Sequence, residues 1–253
     1  MGIRKLLLIP FAAPYGLIIR IRHWMFKINI LKSVSYDIPI IGVGNLSLGG
    51  TGKTPMVEFI IRLLMEENKL AVLSRGYGRS SKGYLIADQY SDHHLIGDEP
   101  MQYHNKFRKE LKIAVCENRR VGIMSLMQDD KKLDAIVLDD SFQHRYVKPG
   151  LSILLTDFHN LYMEDYLFPA GRLRDVVSEA KRADIIIVTK TFKVLSPITR
   201  RRIKGILKPE SHQSLYFSYL DYGNMTPLPG FENVKIPNKI STIVLFCGIA
   251  NSY

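Results

Sequence analysis

The chain has only two cysteines in 253 residues, Cys116 and Cys247, far apart and in no C-x-x-C pair. That argues against a disulfide framework or a cysteine-based zinc site, and suits a reduced, cytosolic compartment. Acidic residues are absent from the first 36 positions, and the single tryptophan, Trp24, lies there too. Long apolar runs are missing: the best uncharged stretch, residues 6–19, has 14 residues and is interrupted by Pro10 and Pro14. A bilayer-spanning helix needs roughly 20. A secretory signal is not expected either, because the chain runs on into Arg20-Ile21-Arg22-His23 without a small-residue cleavage site. There is no internal repeat and no low-complexity tract.

Positive charge, in contrast, is plentiful. The formal net charge is +11, and Arg4, Lys5, Arg20, Arg22, Lys27 and Lys32 sit in the acid-free segment 1–36. From Leu17 the apolar positions 17, 18, 21, 24, 25, 28 and 31 recur at helical spacing, with Arg20, His23 and Lys27 on the other side. Two readings stay open. The segment is an interfacial helix on an anionic membrane, with Trp24 and Phe26 buried in lipid, or a helix packed on the protein's own core with a solvated basic edge. A nucleic-acid partner is not expected, because the charge lies on an apolar segment without interleaved stacking aromatics. No obligate protein partner is evident.

Short apolar runs at 38–44, 70–74, 111–115, 135–139, 151–155 and 184–189 read as buried strands. Helical patterns at 54–67 and 118–128 lie between them, and 196–207 is a basic helix candidate. Alternating strands and helices predict an α/β fold with a mostly parallel sheet covered on both faces. The expected organisation is a basic amphipathic segment 1–36, membrane-docking on the first of those two readings, a core 37–212, a β-strand linker 213–239, and 240–253 as the first strand of an incomplete second α/β domain.

The densest chemistry is in "GNLSLGGTGKTP", residues 44–55. Glycine-rich backbone and a helix N-terminus hold phosphates, a lysine neutralises β/γ charge, and a Ser/Thr hydroxyl binds Mg²⁺. Ser47, Gly49, Gly50, Thr51, Gly52, Lys53 and Thr54 form the nucleotide-binding set, with ATP and Mg²⁺ as expected cofactors. Ser47 replaces the first glycine, which helps the chain turn out of the strand but carries no phosphate chemistry. A P-loop enzyme also needs a carboxylate at the end of a neighbouring strand. "AIVLDDSFQH" delivers Asp139 and Asp140 to such an end; with Thr54 they form the metal set, although an aspartate pair there could instead cap a helix.

Four further motifs are "SRGYGR" (74–79), "GDEP" (97–100), "ENRR" (117–120) and "PAGRLRD" (169–175), each at or near a strand end. Arg75, Arg79, Arg119, Arg120, Arg172 and Arg174 could stabilise transferring phosphoryl charge, hold an anionic acceptor, or simply join surface ion pairs.

Taken in order, these motifs closely resemble those of the tetraacyldisaccharide 4'-kinases of lipid A biosynthesis, over nearly the whole chain. The resemblance fits Ser47, since that family commonly has Ser or Thr at this point. It implies transfer of the ATP γ-phosphate to the 4'-hydroxyl of an acylated glucosamine disaccharide 1-phosphate, by a peripheral enzyme at the cytoplasmic face of the bacterial inner membrane. It also favours the lipid reading of the N-terminal helix.

By matching motif, Lys53, Asp98, Arg119 and Arg174 would be catalytic, with Asp98 orienting the acceptor hydroxyl and taking its proton late. Arg75, Tyr77, Glu99, Arg120, Gln143, His144 and Asp175 would line the substrate cleft, Asp175 by holding an arginine. Two departures stand out. Ser141 occupies a usual glycine position, which would reduce backbone freedom beside the metal site. The family also continues past "GIAN" into a second domain whose histidine assists the base, so the chain alone is expected to bind ATP with weak or no turnover. The competing expectation is a non-catalytic nucleotide-binding module on a membrane surface.

Overall fold

The computed structural model describes residues 3–221 and 223. In chain order its elements are α1 (Ile3–Lys27), β1 (Ile40–Asn45), α2 (Lys53–Leu64), β2 (Leu70–Ser74), β3 (Leu85–Ile86), α3 (His93–Ile96), α4 (Asp98–Phe107), β4 (Lys112–Val115), α5 (Arg119–Asp129), β5 (Ala135–Leu138), β6 (Leu151–Asp157), β7 (Ile185–Thr189), α6 (Pro197–Leu207) and β8 (Ser214–Phe217). The strands form one sheet in the order β3-β4-β2-β5-β1-β6-β7-β8. Every pairing is parallel except that of the short edge strand β3.

The predicted strands read as unbroken apolar runs because the sheet is covered on both sides. In β2, Leu70 and Val72 meet Val57, Ile60 and Ile61 of α2 and Tyr103 and Phe107 of α4. Their neighbours Ala71 and Leu73 point the other way, to Ile123 and Leu126 of α5. Further along that second face, Ile186 and Val188 of β7 meet Ile203 and Leu207 of α6. Each such side chain contributes about 1.5–3 kcal/mol when fully buried.

β1 lies centrally between β5 and β6. Its two glycines are spaced to admit the chain that follows β5. A Cβ on Gly44 would lie 2.6 Å from Phe142 Cβ and 2.7 Å from the Phe142 backbone nitrogen. Gly44→Ala must therefore push main chain apart, and we expect a loss of about 1–3 kcal/mol, read as a lower urea midpoint with unchanged slope.

Three expectations change. The N-terminal helix begins well before Leu17 and continues through Pro10 and Pro14. The two prolines are four residues apart and both exposed, so the bonds they cannot make fall on one open side. Ser214–Phe217 pairs in parallel with β7, so the linker expected from 213 opens with a core strand. Its alternating exposed and half-buried residues are those of a sheet edge, which reads in sequence like a free-standing strand. Residues 224–239 of that linker and the strand expected at 240–250 lie outside the described residues.

The largest change is the orientation of α1. Ala12, Tyr15, Gly16, Ile19, Arg22, His23 and Phe26 face the protein at helical spacing, while Leu17, Ile18, Ile21, Trp24 and Ile28 are exposed. Phe26, expected in lipid, packs edge-on against Tyr146 with Arg145 over its ring. His23, expected on the solvated side, is buried. The apolar stripe is therefore not packed on the protein's own core. No helix among the described residues is long and apolar enough to cross a membrane.

Candidate active site

Helices α5 and α6 are closed at their N-termini by their own side chains, Asn118 and Ser196. α2 has no such cap; it starts after Gly52, which has φ of 80°, and its first N–H groups are left to an incoming anion. The loop leading there is held from three sides. Asn45 Nδ2 donates to the Thr51 hydroxyl at 2.7 Å, and the Thr189 hydroxyl donates to the Thr51 carbonyl at 2.8 Å. Leu48 N donates to Arg172 O at 2.6 Å, and Arg174 N to Leu46 O at 2.8 Å.

These last bonds revise the reading of Ser47. The chain does not turn there: Ser47 pairs antiparallel with Leu173, and the first positive φ of the loop comes two residues later, at Gly49. A glycine at 47 would serve no purpose in this geometry. Gly50 also has an ordinary φ, so Gly49 and Gly52 alone use the left-handed region in this loop.

Opposite the loop, Asp139 and Asp140 leave the end of β5 in different environments. Asp140 has φ of 49° and turns its carboxylate to Arg174, whose two terminal nitrogens take both oxygens, while Lys53 Nζ stands 3.7 Å away. Burial would raise its pKa, but Arg174 and Lys53 hold it at about 2. Asp140 is thus held by two cations, where it was expected as part of the metal set. The positive φ falls at Asp140 and not at Ser141, whose hydroxyl and N–H both bond the Val43 carbonyl; serine therefore fits where glycine was expected.

Asp139 is buried, and burial together with the charges of Glu99 and Asp140 pushes its pKa up to about 7. Its Oδ2 accepts from the Tyr103 hydroxyl at 3.2 Å, and its Oδ1 has no partner. The Thr54 side chain also acts on the Tyr103 hydroxyl, linking the loop to the end of β5. No cluster of three or more His, Cys, Asp or Glu able to hold a metal exists among the described residues. The orphaned Asp139 oxygen and the Thr54 hydroxyl fit a Mg²⁺ that takes its remaining ligands from water and phosphate.

Glu99 joins this group: burial raises its pKa, Lys53 opposes that, and Asp140 and Asp98 add to it. Asp98 itself is exposed in the first turn of α4, on the rim of an open groove with His93, Met101 and Gln102. The SRGYGR and GDEP motifs meet through backbone, since a Cβ on Gly97 would lie 2.8 Å from Tyr77 O.

The arginines divide clearly. Arg174 alone grips a carboxylate of the acid pair, that of Asp140. Arg119 is buried and donates to the carbonyls of Cys116 and Asp139, so it fastens β4 to β5 beneath the site; this corrects the expected catalytic role. Burial lowers its pKa to about 10, leaving it charged. Arg75 is exposed and, with Arg119, repels a proton from His144; burial and this repulsion hold the imidazole at about 4, neutral at pH 7. Arg120 stands beside the Tyr36 hydroxyl, away from the acid pair. Arg79 clasps Glu117 and the Gly83 carbonyl. Arg172 pairs with Asp165 at 3.5 Å.

Gln143 donates to Asn45 O at 2.8 Å, bracing the loop. Tyr77 is 85% exposed. Asp175 holds no arginine: it is buried and accepts from His23 Nε2 at 2.6 Å. Sequence reasoning missed Asn45, Tyr103, Thr189 and His23. Of these, Tyr103 left a signal, the Pro100-Tyr103-Phe107 spacing of a buried helix face.

Comparison with known proteins places the chain in a family. The family described as tetraacyldisaccharide-1-P 4'-kinase matches residues 4–253. A tetraacyldisaccharide 4'-kinase of Parabacteroides distasonis is 50% identical over 224 residues, 88% of this chain and 60% of that protein. One from Bacteroides thetaiotaomicron is 46% identical over 239 residues, 94% of this chain and 63% of that protein. The chain thus spans less than two thirds of either relative. A crystal structure of LpxK from Aquifex aeolicus in complex with ATP superposes with a TM-score of 0.68 at 27% identity, covering 89% of this chain and 86% of that one. With its motifs gathered around one phosphate loop and the match running nearly end to end, the chain belongs to the tetraacyldisaccharide-1-P 4'-kinase family.

Proposed function

We propose that this chain is the nucleotide-binding and phosphoryl-transfer part of a lipid kinase. It would move the γ-phosphate of ATP to the 4'-hydroxyl of a tetraacyl glucosamine disaccharide 1-phosphate. The observation that carries the reading is Lys53 beside the Asp140–Arg174 pair, at the mouth of an uncapped helix. An in-line phosphoryl transfer asks a protein mainly for position and charge. The loop and the N-terminus of α2 receive the phosphates, while Lys53 and Arg174 place two cations where charge develops. Glu99, in the first turn of α4, sits in the field of Lys53 and Asp140, and the exposed Asp98 beside it is the group we assign to the acceptor hydroxyl. Mg²⁺, held by Thr54 and Asp139, would neutralise the β- and γ-phosphate oxygens.

The acceptor is a lipid, and the exposed stripe of α1 with Arg20 and Lys27 beside it offers a surface for a membrane. We assign that membrane as the cytoplasmic face of the inner membrane, where ATP and the acceptor meet. The test is incubation of the chain, and of a version extended to the length of its relatives, with Mg-ATP and the tetraacyl disaccharide 1-phosphate. Bisphosphate product is expected from the extended version, and ATP binding from both. Absence of product from both overturns the reading.

Tyr103 supplies a finer check. Tyr103→Phe removes the hydroxyl that orients Asp139 and Thr54 at nearly constant volume. Losing one such bond to a charged group corresponds to about a tenfold rise in the Mg²⁺ concentration needed for half-maximal nucleotide binding. Mg²⁺ titration against a fluorescent ATP analogue measures it.

A further inference from the structure

The segment that carries Arg174 is clamped between two partners. On one side, Arg174 N and Arg172 O bond the chain entering the phosphate loop, at Leu46 and Leu48. On the other side, the Tyr15 hydroxyl of α1 donates to Arg174 O at 2.9 Å. Successive side chains of an extended segment point opposite ways. Arg174 reaches Asp140 and Asn45, and Asp175 reaches back to His23 of α1. The His23 ring lies between Asp175 and a second group of charges: Nδ1 is 2.7 Å from Arg145 Nη1 and 3.3 Å from Glu179. The nearer contact is a donor, so the ring carries its proton on Nε2 and gives it to Asp175. Beside it, Arg22 donates to Gln143 O at 2.9 Å, and Gln143 braces Asn45. Three residues on the inner side of α1 therefore end on the backbone or side chains that frame the phosphate loop.

We propose that His23 and Tyr15 are positioning residues for phosphoryl recognition: by fixing Asp175 and the Arg174 carbonyl, they hold the Arg174 guanidinium on the Asp140 side of the loop. The helix whose outer face is apolar is then one wall of the phosphate site, not an anchor appended to it. This inference rests on the proposed ATP site.

The test uses the chain itself and compares its affinities for ATP and ADP at a temperature where every variant is folded. Arg174→Ala should narrow the preference for ATP about tenfold, the size of one lost charge-assisted contact. His23→Ala should narrow it severalfold, and His23→Gln, which can still donate to Asp175, should restore most of it. In the double variant His23→Ala/Arg174→Ala the histidine change should add nothing, because its effect passes through the arginine. A role in stability alone would lower the melting temperature and leave the ATP-to-ADP ratio untouched; that result, or additive losses in the double variant, overturns the proposal. If His23→Ala does not fold, Tyr15→Phe removes only the bond to Arg174 O, and the same two outcomes decide. Failure of the unaltered chain to bind ATP overturns the functional reading and this inference together. Normal binding with His23→Ala indistinguishable from it overturns this inference alone.

Discussion

Lys53→Met is expected to reduce phosphoryl transfer by about 10³-fold and to weaken ATP binding at least tenfold, without unfolding the protein. Methionine keeps the apolar stem and removes only the ammonium. That ammonium stands 3.7 Å from Asp140, whose two oxygens are already gripped by Arg174, so its loss leaves Asp140 paired. The structural cost should stay within about 1 kcal/mol, the range of partly exposed ion pairs. The catalytic cost is larger because the cation acts where charge develops, in a site walled by three carboxylates. Glu99, Asp139 and Asp140 would otherwise repel an incoming polyphosphate, and of the two cations facing them only Arg174 would remain. Steady-state kinetics on the extended enzyme and calorimetric ATP titration of this chain measure the two effects. Turnover within tenfold of the unaltered enzyme would remove Lys53 from the mechanism.

The core was legible because strands buried on both faces leave continuous apolar runs, and the phosphate loop was legible because glycine, lysine and threonine act there through local geometry. Residues whose roles depend on what lies behind them were not. Arg119 and Arg174 look alike in sequence; one fastens two strand ends from below and the other faces the acid pair. Ser47 and Ser141 looked like departures from glycine, yet neither position has a positive φ, and the unusual backbone falls at Gly49 and Asp140. Asp175 is adjacent to Arg174 but points away from it, and its partner His23 is 152 residues distant. Periodicity found the C-terminal half of the helix, from Leu17, and its apolar side, but not which side the fold would cover. A buried His–Asp pair and a small Ala12–Gly16 surface decided that, the glycine allowing Leu167 within 2.8 Å of where a Cβ would stand.

That exposed face sets the second large expectation. Ile18, Ile21 and Trp24 are 67%, 47% and 56% exposed on the outer face of α1, so replacing all three with serine removes little packing. The melting temperature should change only slightly. Vesicle binding should change strongly: three apolar side chains entering a lipid interface at about 1 kcal/mol each correspond to about a hundredfold in partitioning. The flanking Arg20, Lys27 and Lys32 contribute an electrostatic part that salt screens. Residual binding of the triple variant to phosphatidylglycerol vesicles should therefore vanish between low and physiological salt, while the unaltered chain keeps its apolar share. Co-sedimentation at the two salt concentrations separates the contributions. Equal sedimentation of the triple variant and the unaltered chain would mean that the stripe does not meet lipid. In that case the inner face of α1, with His23 on Asp175 and Tyr15 on Arg174, would still tie the helix to the phosphate site, and its outer face would have to serve a different surface.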